Sequence, residues 1–218
     1  MAPTYFRREP GIEFSNGHRG SALLFLMPDL TSRKAELRAE ALAKRDTLPA
    51  ELRAAAAETI AARTFPVPIE EGTIVSGFMP LKSEINPLPL MRKLAEAGAH
   101  LALPTIVARG QPLIMRVYRF GDELARGQWG IREPKPDAAE VAPDILLVPL
   151  AAFDRSGHRI GYGAGYYDMT IYALRAKKSI TAIGLAFAAQ EILKVPTTER
   201  DARLDLVLTE REVIDLRE

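Results

Sequence analysis

Residues 144–168 read DILLVPLAAFDRSGHRIGYGAGYYD, and their pattern decides the fold. Ile145–Leu150 is a short apolar run, bounded by Pro143-Asp144 and interrupted by Pro149, which predicts a buried strand. A polar loop, Asp154–His158, follows. Tyr167–Lys177 then has helical spacing and a basic end. Between strand and helix, Gly161, Gly163 and Gly165 alternate with Tyr162 and Ala164. Glycines without a Cβ leave backbone N–H groups open, and with the start of a helix these can hold an anion. Arg159 adds a planar fork of donors suited to phosphate. Asp168 falls in the first helical turn, where a carboxylate either caps the helix or holds a metal beside phosphates. A plain strand–turn–helix, with glycines serving the turn, is the competing reading. The spacing G-x-G-x-G is neither the G-x-G-x-x-G of a dinucleotide fingerprint nor a Walker loop, since no Gly-Lys-Ser/Thr follows.

Composition narrows the rest. A chain of 218 residues, 47% hydrophobic, suffices for one domain with a sizeable core. Lys and Arg total 29 against 28 Asp and Glu, so no global field favours nucleic acid or a membrane surface. The absence of cysteine excludes disulfides, thiolate catalysis and Cys-ligated metal. No apolar run approaches the roughly 20 residues of a membrane span. A soluble, cytoplasmic, monomeric protein acting on small molecules is the expectation.

Residues 1–28 differ in character. Arg7, Arg8, Gly11, Asn16, Gly17 and Gly20 suggest a loose arm, and Ser21–Met27 is a short apolar run. Pro28-Asp29 is not a small-residue cleavage site. An added arm is expected, or upstream sequence ahead of a true start at Met27, preceding one α/β catalytic domain at 29–218.

From Ser32, read as a cap, SRKAELRAEALAKRD is helical; Lys34 and Arg38 share a face that Arg45 continues. Such a stripe usually means a solvated basic face. A second helix starts after Thr47-Leu-Pro49 and is expected to pack through Leu52, Ala56 and Ile60. Residues 73–78 form a strand, 86–97 a helix capped by Asn86 and stopped by Gly98, and 100–107 a strand. This β-α-β order predicts a parallel pair with a right-handed crossover. Met79 and Glu84 then lie beyond the carboxyl end of the first strand, where open α/β sheets bind ligands. Residues 112–120 alternate as a strand, and 124–134 hold the single tryptophan, Trp129. A strand at 180–187, a helical turn at 191–195 and two short strand-like runs complete the chain. His18, His100 and His158 lack ligand spacing. No G-x-S-x-G or H-E-x-x-H occurs, so hydrolase and zinc readings lack support. An open, mostly parallel α/β sheet with helices on both faces is predicted.

The stretch PLAAFDRSGHRIGYGAGYYD closely resembles the signature of the 5-formyltetrahydrofolate cyclo-ligase family, also called methenyltetrahydrofolate synthetase. That signature runs Pro-Gly-x-x-Phe-Asp, a short gap, then Gly-x-Arg-Leu-Gly-x-Gly-x-Gly-Tyr-Tyr-Asp. Leu150 stands for the usual glycine and Ile160 for leucine. The resemblance spans roughly residues 32–212 and implies the three-layer fold of ribose-5-phosphate isomerase-like proteins. It implies ATP- and Mg²⁺-dependent closure of 5-formyltetrahydrofolate to 5,10-methenyltetrahydrofolate. It assigns ATP to Lys34, Arg38, Arg159, Gly161, Tyr162, Gly163, Ala164, Gly165 and Tyr167. Folate falls to Met79, Glu84, Trp129, Tyr162 and Tyr166, the metal to Asp168 and Asp205, and the catalytic role to Arg159 and Tyr166. Two alternatives remain: a non-catalytic folate or nucleotide binder, and a sugar-phosphate isomerase of the same fold with Glu84 as base.

Overall fold

A computed structural model describes residues 29–217. The expected arm at 1–28 lies outside the described residues. Helix α1 (Leu30–Asp46) starts one turn before Ser32, because Asp29 and not Ser32 is its cap: the Asp29 carboxylate accepts from the N–H of Thr31 at 2.7 Å and of Ser32 at 2.9 Å. Helix α2 (Ala50–Ala62) follows Pro49. Its packing face is Ala56, Ala57, Ile60 and Ala61; Leu52, expected inside, is 60% exposed. Next come β1 (Ile74–Ser76) and α3 (Leu88–Glu96), entered through an Asn86 side chain that accepts the Leu88 N–H.

The chain continues through β2 (His100–Thr105), β3 (Ile114–Tyr118), β4 (Leu124–Arg126), a 3₁₀ turn (Gln128–Gly130), β5 (Arg132–Pro134), β6 (Glu140–Val141) and β7 (Ile145–Pro149). The polar loop expected after β7 is the turn of a small hairpin, β8 (Ala152–Phe153) with β9 (Arg159–Ile160). Asp154, 2% exposed, organises that turn by accepting from the N–H groups of Ser156, His158 and Val195. Helix α4 (Tyr166–Arg175), β10 (Thr181–Leu185), β11 (Leu206–Leu208) and β12 (Val213–Asp215) complete the described chain. The helical turn expected at 191–195 lies earlier, as a 3₁₀ turn at Ala188–Gln190. There the Gln190 side chain donates to the carbonyls of Leu150 and Ala151 and accepts the Phe187 N–H.

Eight strands form one sheet in the order β12-β11-β10-β7-β1-β2-β3-β6. The central run β11, β10, β7, β1, β2 is parallel; β12, β3 and β6 are antiparallel to their neighbours and lie toward the edges. Strand β7 reads as a continuous apolar run because both its faces are covered. Ile145 and Leu147 face the core beneath α2 and α3, while Leu146 and Val148 face the core beneath α4. Leu146, Leu147 and Val148 have no exposed surface, so truncating Leu147 to alanine costs about 2–5 kcal/mol. Helices on both faces make the three layers expected. No helix among the described residues is long and apolar enough to cross a membrane.

Candidate active site

The carboxyl ends of the parallel strands form one edge of the sheet, and the loops leaving β7 and β1 meet there. Between β9 and α4 runs the glycine segment 161–165. Gly165 is the residue before α4 and has φ +70°, and Gly163 has φ +99°; both are left-handed conformations that an L side chain strains to adopt. No side chain caps α4. Its first N–H groups lack intrahelical partners, and they carry the positive end of the helix dipole.

Asp168 does not cap this helix, as the plain reading required. Its carboxylate accepts from Arg159 Nη2 at 2.8 Å and from the Ala202 N–H at 3.0 Å. Arg159, 5% exposed, is fixed by β9 and by a second bond from Nη1 to the Ala202 carbonyl at 2.6 Å. The α4 terminus therefore stays open with a guanidinium and a carboxylate beside it.

Helix α1 lays its basic stripe along this segment. Lys34, Arg38 and Arg45 lie four and eleven residues apart, hence near one face. Lys34 Nζ bonds both carboxylate oxygens of Asp201 at 2.6 Å. Arg38 Nε donates to the Gly161 carbonyl at 2.7 Å, and its guanidinium carbon lies 3.6 Å from where a Cβ on Gly163 would stand. Arg45, 3% exposed, donates to Ser83 Oγ at 3.0 Å and to the Tyr162 hydroxyl at 2.6 Å. Ser83 in turn donates to Asp46. The stripe is an attachment to the site, not a solvated face.

The loop after β1 supplies the other wall. Glu84, 8% exposed, accepts from the Leu81 N–H at 2.7 Å and lies near the Tyr162 phenol. The Tyr162 phenol accepts from the Arg45 guanidinium and stands near Glu84, so the three residues form one relay. Burial pushes the Glu84 carboxyl above its ordinary value, against the pull of Tyr162, Leu81 and Arg45. Burial and the Glu84 charge push the Tyr162 phenol upward as well. Met79 is half-buried against the α2–α3 core.

The structure brings together Lys34, Arg38, Arg159, Asp168, the glycine segment, Tyr162 and Glu84. Ala164 is exposed within the segment, and Tyr166, 8% exposed, is buried as the first residue of α4. The Tyr167 ring packs on the core beneath α4. Trp129 lies in the 3₁₀ turn; its side chain is outside what the structure describes.

Asp205, expected at the metal, has other partners in this structure. It is held by Arg175, with Nη2 at 2.8 and 3.0 Å, and by the Ala182 N–H at 2.7 Å. Arg175 is seven residues beyond Asp168 on α4, about 10 Å along the axis. The two carboxylates therefore stand beside opposite ends of the helix and do not converge. Asp201 is the acidic residue next in sequence to Ala202, whose N–H Asp168 accepts. Burial works to raise the Asp201 carboxyl, but Lys34 and Thr198 outweigh it and hold it below the usual carboxylate range. No periodicity or spacing marked Asp201. Arg45 did have a signal, being the last member of the α1 stripe.

Among the described residues no group of three or more His, Cys, Asp or Glu is placed to hold a metal alone. That suits Mg²⁺, which commonly takes one or two carboxylates and completes its shell with phosphate oxygens and water. Asp168 and Asp201 fit that demand.

An α/β enzyme with an anion cradle at a helix start, ringed by Lys and Arg and carrying adjacent carboxylates, has the parts for binding a polyphosphate. The profile of the 5-formyltetrahydrofolate cyclo-ligase family matches residues 30–210, and the chain belongs to that family of ligases. It is 34% identical over 196 residues to the 5-formyltetrahydrofolate cyclo-ligase of Mycolicibacterium smegmatis, covering 84% of this chain and 97% of that one. It is 33% identical over 156 residues to the Escherichia coli K12 cyclo-ligase, covering 69% and 84%. The solved structure of Aquifex aeolicus 5,10-methenyltetrahydrofolate synthetase superposes with a TM-score of 0.69 at 28% identity, covering 85% of this chain and 93% of that one.

Proposed function

We propose that the protein couples ATP cleavage to ring closure, converting 5-formyltetrahydrofolate into 5,10-methenyltetrahydrofolate, ADP and phosphate. The observation that carries the reading is the fastening of Arg38 to the Gly161 carbonyl, beside an uncapped α4 terminus that also holds Arg159 and Asp168. The formyl group on N5 is amide-like and unreactive. Its oxygen attacks the γ-phosphorus of ATP, ADP leaves, and the carbon becomes an iminium phosphate. N10 then attacks that carbon, loses its proton, and phosphate departs with the C–O bond electrons.

Phosphoryl transfer of this kind asks mainly for position and charge neutralisation. The α4 N–H groups and the glycine segment orient the polyphosphate; Lys34, Arg38 and Arg159 offset its charge. Asp168 and Asp201 would hold a divalent metal, which would supply positive charge against the phosphates. The Arg45–Tyr162–Glu84 relay fixes the folate wall, with Met79 and the Trp129 turn beyond it. We read the protein as a cytoplasmic monomer whose partners are these two small molecules.

The test mixes purified protein, ATP, Mg²⁺ and 5-formyltetrahydrofolate and follows the methenyl chromophore. Turnover requiring both ATP and a divalent metal is expected. ATP-independent turnover, or none from folded protein, overturns the reading.

A further inference from the structure

The β4–β5 hairpin holds a carboxylate that this reaction leaves unused. Glu133, on β5, is 6% exposed and lies directly beneath the Gly127 backbone, where an added Cβ would stand 2.2 Å from its carboxyl carbon. A carboxylate can accept about four hydrogen bonds. Among the described residues Glu133 receives one, from the Ile106 N–H, at a long 3.4 Å. Glu84, by contrast, takes a 2.7 Å bond from Leu81.

The residue before Ile106 is also unmatched. The Thr105 hydroxyl oxygen is buried and has no hydrogen-bond partner. Thr105 ends β2 at the same sheet edge as the glycine segment. Leu101 and Leu103 of β2 face the α2–α3 core, and the period of two puts Thr105 on that face. Leu124 of β4 packs against this core too, opposite Pro134 in the hairpin. Counting on from the pairing Ser76↔Ala102, Met79 falls opposite Thr105. The donor-poor carboxylate and the unpartnered hydroxyl are therefore linked through consecutive residues of one strand end, since Ile106, which donates to Glu133, follows Thr105. Buried polar groups without partners are costly and rare. An unpartnered hydroxyl and, through the next residue, a carboxylate with one long bond point to a ligand that completes them.

Resting on the reading that the substrate is a reduced folate, we infer that Glu133 and Thr105 recognise the polar edge of its pterin ring. That edge presents the O4 acceptor, the N3–H donor and the 2-amino donor in a row. The Glu133 carboxylate accepts the two parallel N–H groups, as carboxylates do from a guanidinium fork. The Thr105 hydroxyl donates to O4. These are positioning and specificity contacts, remote from the reacting N5 and N10.

The experiment measures binding of 5-formyltetrahydrofolate by calorimetry and turnover in the full chain. Glu133→Gln is expected to weaken folate binding roughly tenfold to hundredfold while leaving KM for ATP unchanged. Thr105→Val separates a ligand role from a structural one. Loss of an unpartnered buried hydroxyl should raise Tm, yet folate binding should weaken. A 2-desamino analogue should bind the wild type poorly and lose less on going to Glu133→Gln. Unchanged folate binding in Glu133→Gln or in Thr105→Val overturns the inference. So does a rise in both KM values that simply tracks a lower Tm. Wild-type protein that neither binds nor converts the folate removes the reaction itself; wild-type turnover with unaffected variants removes this inference alone.

Discussion

Arg45 Nη1 donates to the Tyr162 hydroxyl at 2.6 Å, joining the last turn of α1 to the middle of the glycine segment. Tyr162 is 45% exposed, so its ring contributes little to the core. Its hydroxyl, however, is the link between a buried cation and the buried Glu84. Tyr162→Phe should therefore fold normally and raise KM for folate more than KM for ATP. Arg45→Ala removes bonds to Ser83 and Tyr162 from a buried site and should cost about 1.5–3 kcal/mol of stability. A Tyr162→Phe enzyme with wild-type folate kinetics would reduce the relay to packing.

Glu84 couples function to pH. Its carboxyl is raised by burial, so the folded state holds the proton more tightly than the unfolded chain. Stability from this group is then greatest below the unfolded value and declines as pH rises through the interval up to the raised folded value. Above that interval the deficit persists. Glu84→Gln should abolish this segment of the Tm–pH curve and raise Tm at neutral pH, while weakening folate binding. A Tm difference that does not vary with pH would assign the effect to packing instead.

For the basic stripe, the prediction concerns Arg38. Alanine is the better helix former, and the position is only half-buried, so Arg38→Ala should lower Tm modestly. Loss of a charge-assisted contact of about 1.5–3 kcal/mol should raise KM for ATP roughly tenfold to hundredfold. Arg38→Lys should restore only part, since the planar fork is lost. Unchanged ATP kinetics would return α1 to a scaffold role.

The carboxylates are separable by titration with Mg²⁺. Asp168→Asn and Asp201→Asn should each raise the metal concentration needed for half-maximal turnover. Asp205→Asn should leave that requirement alone and lower Tm, since it loses the ion pair with Arg175, about 1–3 kcal/mol. A shifted metal requirement in Asp205→Asn would show that Arg175 releases it when substrates bind.

The parallel core was legible because β7 is buried on both faces and so reads as an unbroken apolar run, and because the 73–107 segment alternates strand, helix and strand. Helix ends were less so: Asp29 caps α1 although Ser32 suits the role equally by composition. The β8–β9 hairpin escaped notice because its strands are two residues each, below any periodicity. At the site, residues within a motif could be named in advance, whereas Asp201, delivered by tertiary approach, could not. Asp201 comes to the site only because the 201–205 segment runs alongside α4. Asp205, in a motif-like setting three residues beyond Ala202, is carried past the site by the same extended backbone.

Helix α1 rests on β8, β9 and the Ala188–Gln190 turn through a small apolar cluster of Leu37, Ala41, Ala152, Ile160, Ile192 and Val195. The ties of its basic stripe to the domain, Lys34 to Asp201, Arg38 to Gly161 and Arg45 to Tyr162 and Ser83, belong to the site. The helix is therefore a gauge of the cradle it covers. Nucleotide bound there adds ties that α1 otherwise lacks, so deuterium uptake along α1, referenced to the deeply packed α3, reports occupancy even in a variant that no longer turns over.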